Sequence, residues 1–147
     1  MKYYAYEEFK NDTLTLIQRV KSFDAEAIVG VARGGLTLAH AIAEGLELRE
    51  VHTLRTELYD GDAKRSEITL YESCELGHLK RVLVLDDIAD SGETLQVIMK
   101  HLREKYTNVE FKAATLFYKK TSLYEPHFWI NEADDWIEFF WERDFKV

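Results

Sequence analysis

One cysteine, Cys74, stands in a chain of 147 residues, so neither an intrachain disulfide nor a cysteine-rich zinc site is available. Cys74 itself reads as a packing residue rather than a nucleophile, and its solitude fits a reducing compartment. A single proline, Pro126, and seven glycines leave no linker-like or low-complexity stretch. No run approaches the ~18 apolar residues of a membrane span. The first residues, Met1 to Glu8, are aromatic and acidic and lack the basic-then-apolar order of a secretion signal. These absences make the cytoplasm the expected location. Basic charge is also scarce: 19 lysines and arginines against 27 aspartates and glutamates give a net charge of −8. That balance argues against a broad basic surface, so no nucleic-acid partner is expected. A small anionic ligand stays open, because backbone amides, a few cations or a metal ion can build a local positive site.

What is present is an ordinary globular mix, 46% hydrophobic and 31% charged. The length is that of one domain, residues 1–147. Apolar strands and helical patterns alternate. Asn11-Asp12-Thr13 is a candidate cap for a helix carrying Leu14, Ile17 and Val20. Ala27 to Ala32 is apolar throughout and reads as a strand buried on both faces. Arg33-Gly34-Gly35 breaks it, and Leu38, Ala39, Ile42 and Leu46 suit a helix ending near Gly45. Val51 to Tyr59 reads as a strand, Asp60-Gly61-Asp62 as a turn, and Lys64 to Leu70 as a half-exposed strand, together a polar flap. Arg81 to Leu85 is a second fully apolar strand that ends in Asp86-Asp87. After Gly92, Leu95, Ile98, Met99, Leu102 and Tyr106 follow helical spacing. Ala113 to Tyr118 is a further strand, and an aromatic, acidic tail runs from Phe128 to Trp141. This alternation predicts an α/β fold with a mainly parallel sheet flanked by helices. Ligands of such sheets sit outside the carboxyl ends of the strands, where Arg33-Gly34-Gly35 and the run from Asp86 to Thr94 fall.

The second run carries the chemistry. Asp90-Ser91-Gly92-Glu93-Thr94 has the parts of a phosphate cradle: a glycine for close backbone approach, two hydroxyls, and a helix start with unpaired amides. It is neither a Walker loop nor a dinucleotide fingerprint. Asp86 and Asp87 would repel a phosphate and suit hydroxyl groups or a divalent cation. A ligand with a phosphate and a diol, such as a ribose phosphate, satisfies both halves.

The run Val82-Leu-Val-Leu-Asp-Asp-Ile-Ala-Asp-Ser-Gly-Glu-Thr-Leu95 resembles the phosphoribosyl-pyrophosphate (PRPP) signature of the type I phosphoribosyltransferases. Val31-Ala32-Arg33-Gly34-Gly35 is similar to the family's pyrophosphate loop. Leu116-Phe117-Tyr118-Lys119 and Asp135-Trp136-Ile137 look like the purine-recognising parts of the bacterial xanthine-guanine members. The resemblance implies that fold, with a short flap and a small C-terminal base-binding hood. It implies transfer of the 5-phosphoribosyl group from PRPP to a 6-oxopurine, with release of pyrophosphate.

Residue by residue, the resemblance gives Asp86 and Asp87 the ribose hydroxyls, with Asp87 the contact for Mg2+. Asp90 becomes the general base or acceptor near N7 of the purine. PRPP contacts further include Ile88, Ala89, Ser91, Gly92, Glu93 (through its amide) and Thr94. Arg33 and Gly34 bind the leaving pyrophosphate, after a peptide that is often cis in the family, and Arg65 joins them from the flap. Lys119 donates to the 6-oxo group, Trp136 stacks on the base, and Ile137 presents backbone groups to its far edge. Lys120 competes with Lys119 for that role, and plain core packing competes with stacking for Trp136. The partners implied are PRPP and a purine, within a homo-oligomer (dimer or tetramer). The flap is short, roughly Leu58 to Ser73, and Glu93 stands where many relatives have glycine. A non-catalytic PRPP or nucleotide sensor on the same fold is the alternative; the net charge of −8 and the retained Asp90 weigh against it.

Overall fold

The computed structural model describes residues 1–60 and 66–147. Twelve elements follow in order: β1 (Lys2–Tyr4), α1 (Tyr6–Val20), β2 (Ala27–Ala32), α2 (Leu36–Leu46), β3 (Val51–Asp60), β4 (Ser66–Glu72), β5 (Arg81–Ala89), α3 (Glu93–Lys105), β6 (Glu110–Tyr118), β7 (Phe128–Glu132), β8 (Ile137–Phe139) and α4 (Phe140–Arg143). Six strands form one sheet in the order β4-β3-β2-β5-β6-β7, and β1 pairs with β8 in a small second sheet. Only β4 runs antiparallel in the large sheet. The central strands are buried on both faces, which is why β2 and β5 carry unbroken apolar runs rather than alternation.

Each sheet face has its own core. One holds Tyr4, Phe9, Leu16, Leu38, Ile42, Leu83 and Phe117, under α1 and α2. The other holds Leu54, Leu76, Val84, Leu95, Ile98, Met99 and Phe111, under α3. Cys74 is buried in the second, with its Sγ 3.6 Å from the Thr53 carbonyl. Burial and the nearby Glu72 charge push its thiol up to about 11, so it packs rather than reacts.

The first helix corrects the expected cap. It begins at Tyr6, five residues before Asn11, because Ala5 is extended and the Glu8 carboxylate reaches back to accept its amide at 3.0 Å. The buried face is therefore Phe9, Thr13, Leu16 and Val20, and Leu14 is left 55% exposed. Asp12 sits mid-helix because its carboxylate serves a tertiary network instead of a cap. The other helices agree with their spacing, except that α3 stops at Lys105 and Tyr106 follows it, donating its hydroxyl to the Cys74 carbonyl. Gly61 to Arg65, which include the centre of the expected flap turn, the candidate Arg65 and its neighbour Lys64, lie outside the described residues.

A buried carboxylate ties the flap strands to α3. Glu72, at the end of β4, has a side chain 3% exposed and accepts from His101 Nε2 at 2.8 Å, Lys105 Nζ at 3.1 Å and the Cys74 amide at 2.7 Å. Burial works against its charge, but the three donors outweigh burial and hold its pKa below the ordinary 4.5. The charged form is thus favoured by folding. Its contribution is complete above the unfolded value and disappears as pH falls through the lower folded one. Glu72→Gln should cost about 1–3 kcal/mol at pH 7. Thermal unfolding at a series of pH values should show the gap to wild type closing below about pH 4. A gap independent of pH would contradict this account.

Candidate active site

The site grows from a mismatch in strand lengths. β5 pairs with β2 only through Gly30 and Leu85, yet continues against β6 as far as Ala89 and Tyr118. Asp86 and Asp87, expected at the end of the strand, therefore lie within it, and the strand continues to Ala89. Their free side is filled by Arg33-Gly34-Gly35, entered through a cis peptide at Ala32–Arg33. Both glycines are demanded by this approach. A Cβ on Gly34 would stand 2.3 Å from Asp87 Oδ2, and one on Gly35 would stand 2.4 Å from the Leu85 carbonyl oxygen. Gly35 N–H bonds the Val31 carbonyl and Leu36 N–H the Arg33 carbonyl, so the turn feeds straight into α2.

The two carboxylates are neighbours, Asp86 buried and Asp87 half-buried. Asp86 Oδ1 accepts the Asp87 amide, and Asp87 Oδ1 accepts the Ile88 amide, each at 2.8 Å. Burial, then the neighbouring Asp87 charge, raises Asp86 well above the usual carboxylate range. Burial raises Asp87 to about 6, with the Glu142 charge adding to it. Among the described residues no lysine, arginine or histidine forms an ion pair with either one. Two adjacent carboxylates without a cation favour binding positive charge or hydroxyl donors.

Beyond Ala89 the chain turns through Asp90-Ser91-Gly92. Gly92 has φ +84 and caps α3, and a Cβ there would lie 2.3 Å from Ser122 Oγ and 2.6 Å from the amides of Leu123 and Tyr124. The 119–124 segment is bound to this turn: Lys119 N–H donates to the Ala89 carbonyl at 3.0 Å and Leu123 N–H to the Ser91 carbonyl at 2.7 Å. Ser91 Oγ accepts the Glu93 amide at 3.3 Å. The result is a helix N-terminus opening on a cavity of about 210 Å³ lined by residues 86–92 together with Thr94 and Leu95.

Two further hollows adjoin this one. A cavity of about 120 Å³ brings together Asp87, Ile88, Asp90, Lys119, Trp136, Ile137 and Glu142. A third, of about 500 Å³, is bounded by Arg33, Gly34, Thr37, Asp87, Glu142 and Lys146. Asp87 is common to all three. Lys119 pairs with Asp90 at 3.0 Å inside the cleft, whereas Lys120 pairs with Glu132 away from it. Trp136 is 62% exposed at the mouth of the middle hollow, so the core-packing alternative fails for it. Core packing does hold for Trp141, stacked on Phe139 at 4.7 Å, and Trp129 packs on Tyr118.

Apart from Arg65, which lies outside the described residues, and Glu93, which lines none of the three hollows, the candidates from the sequence are gathered along one cleft at the carboxyl ends of the strands. Glu142 was not singled out as a site residue. It lies in a four-residue helix after an aromatic run, too short for a periodic signal, and reaches the cleft only because α4 folds back over Gly34.

A mainly parallel sheet with its crevice at the strand ends, a cis-peptide loop and a glycine-capped helix start defines a class of α/β proteins that hold phosphorylated ligands. This chain belongs to the phosphoribosyltransferase family: the model of the phosphoribosyl transferase domain matches residues 7–146. A xanthine-guanine phosphoribosyltransferase of Cereibacter sphaeroides is 31% identical over 120 residues, covering 79% of this chain and 68% of its own. The solved xanthine-guanine-hypoxanthine phosphoribosyltransferase of Helicobacter pylori is 36% identical, with a TM-score of 0.91 over 97% of this chain and 94% of that one. A purine phosphoribosyltransferase of Pyrococcus horikoshii is 26% identical, with a TM-score of 0.84, and covers 99% and 95% of the two chains. The fold is that of the type I phosphoribosyltransferases. Among the described residues, no helix is long and apolar enough to cross a membrane.

Proposed function

We propose that this enzyme transfers the 5-phosphoribosyl group of PRPP to a 6-oxopurine (xanthine, guanine or hypoxanthine), forming the nucleoside 5′-monophosphate and releasing pyrophosphate. One observation carries the reading: three hollows of different chemistry meet at Asp87. They suit, in turn, a pyrophosphate, a purine and a sugar phosphate. In this reading the chain acts as a single domain and meets its substrates in the cytoplasm as a dimer or tetramer.

The 5′-phosphate lies in the cradle of Ser91, Gly92, Glu93 and Thr94, held by amides at the α3 start and by the two hydroxyls. The ribose diol lies against Asp86 and Asp87. Their raised affinity for positive charge becomes useful as C1 of the ribose gains oxocarbenium character, because the pair stabilises that charge electrostatically. Arg33 and the Gly34 backbone receive the departing pyrophosphate, joined by Arg65. Asp90 accepts the proton from the purine imidazole as N–C1 bonding proceeds, and binding of the base redirects Lys119 from Asp90 to the 6-oxo oxygen. Trp136 stacks on the ring, with Ile88 and Ile137 at its edges.

The residues fit magnesium. Mg2+ is commonly held by one or two carboxylates together with substrate phosphates and water, and the cation-free pair Asp86-Asp87 offers that donor set, with Asp87 on the phosphate side. Bound there, the ion would neutralise pyrophosphate and improve it as a leaving group.

The direct test is pyrophosphate release from PRPP and Mg2+ with xanthine, guanine, hypoxanthine, adenine and uracil. Turnover is expected with at least one 6-oxopurine and not with uracil. No turnover with any base would favour the non-catalytic sensor. Trp136→Ala should then raise KM for the purine about tenfold, a stacking loss of ~1–2 kcal/mol, and leave KM for PRPP within about twofold. Equal shifts in both constants would remove Trp136 from the base site.

A further inference from the structure

The purine end of the cleft is carried by a short strand outside the large sheet, whose Ile137 and Phe139 pack into the core. β8 has three residues and belongs to no part of the large sheet. Among the described residues its one strand neighbour is β1, in the register Lys2–Ile137, Tyr3–Glu138 and Tyr4–Phe139. Lys2 N–H donates to the Trp136 carbonyl at 2.9 Å, which fixes the peptide on which the exposed indole is mounted. The position of β1 therefore helps to set where Trp136 and Ile137 lie.

β1 is anchored by one buried tyrosine. Tyr4 is 1% exposed, and its ring meets Phe117 edge-on at 4.9 Å and Phe139 at 5.7 Å. Its hydroxyl donates to Asp12 Oδ2 at 2.5 Å, and the Asn131 side-chain amide donates to the same oxygen at 2.8 Å. Asn131 also donates to the Leu116 carbonyl of β6 at 3.3 Å, three residues before Lys119. One carboxylate oxygen in the middle of α1 thus joins β1, β7 and, through Asn131, β6. Helix interiors gain nothing locally from an aspartate, so this one stands there for its tertiary partners.

We infer that Asp12 is a positioning residue for purine recognition: through Tyr4 and Asn131 it sets β1 and β6, and with them Trp136, Ile137 and Lys119, while touching no substrate itself. The inference rests on the reading of the cleft as a purine phosphoribosyltransferase site. Hydrogen bonds to a charged group are worth enough that losing two of them should loosen the hood, whereas the cradle on the far side of β5 keeps its own supports.

The test compares Asp12→Ala, Asp12→Asn and Tyr4→Phe as full-length proteins, read by amide hydrogen exchange and by kinetics. In Asp12→Ala, exchange across 136–139 should speed up about tenfold or more while that across 86–95 stays within about twofold of wild type. KM for the purine should rise about tenfold with KM for PRPP nearly unchanged. Asp12→Asn, which keeps an acceptor oxygen, should restore most of both. Tyr4→Phe, which keeps the ring, should give an intermediate effect and serves if Asp12→Ala does not fold. Unchanged exchange in both segments, or acceleration shared equally by both, overturns the inference, as would failure of Asp12→Asn to recover. Exchange is read without turnover, so an inactive wild type would refute the proposed reaction while leaving this result to be judged separately.

Discussion

Asp90→Asn should lower kcat by about 10²–10⁴-fold, the usual worth of a positioned general base. Asparagine keeps the shape and hydrogen-bonding reach of the side chain but cannot take a proton. Asp90 is 54% exposed at the rim of the hollow it shares with Lys119 and Trp136, and its ion pair with Lys119 at 3.0 Å is its only charged contact among the described residues. Neither the glycine cap of α3 nor the neighbouring carboxylates of Asp86 and Asp87 depend on it. PRPP binding, measured by calorimetry with Mg2+, should therefore stay within about threefold of wild type, a change of ~0.7 kcal/mol or less. A variant with undiminished turnover would show that the proton goes elsewhere. Equal loss of turnover and PRPP affinity would show that Asp90 serves the sugar phosphate rather than the base.

Gly92→Ala should be strongly damaging for so small a substitution. The residue sits at φ +84, which an alanine adopts only at a cost, and the new methyl would meet Ser122 Oγ at 2.3 Å and two backbone amides at 2.6 Å. Those amides belong to the 119–124 segment, which is itself bound to Ala89 and Ser91, so the clash cannot be relieved by rotating one side chain. The turn must open. Stability should fall by about 3 kcal/mol, and PRPP affinity by about 100-fold or more, since the amides of the cradle no longer converge. Gly77→Ala is the matched control. A methyl there meets only the Tyr106 ring, at 3.8 Å, and both quantities should stay close to wild type. If Gly92→Ala bound PRPP normally, the cradle would not hold the phosphate.

How much of this was visible in the residue order depended on how local each cause is. β2 was legible to the residue, because a strand covered on both faces writes itself as one apolar run, and Arg33-Gly34-Gly35 punctuates it. The starts of α2 and α3 were legible because Gly35 and Gly92 mark them, whereas α2 runs past Gly45 to a cap at Glu47. The start of α1 was not, since its cap is a backbone amide held by Glu8, while the Asn-Asp-Thr triplet that looks like a cap lies inside the helix. The end of β5 was misjudged because aspartates usually terminate strands. Here β6 continues beside them and the glycine loop fills the side that β2 vacates, and neither fact is local. The carboxylate pair and the glycine-capped turn into α3 were readable from one fourteen-residue run. The exposure of Trp136, the choice of Lys119 over Lys120 in the cleft, and the arrival of Glu142 all depend on how the last strand and helix fold back, which no spacing encodes.

The account depends on a single crevice holding both ends of a phosphosugar, and a crystal grown with a 6-oxopurine nucleoside 5′-monophosphate examines that directly. Density should place the phosphate against the amides of residues 91–94, the two ribose hydroxyls on Asp86 and Asp87, and the purine stacked on Trp136 with Lys119 at its oxygen. A nucleotide bound elsewhere on the molecule, or one whose ribose leaves both aspartates untouched, would contradict it.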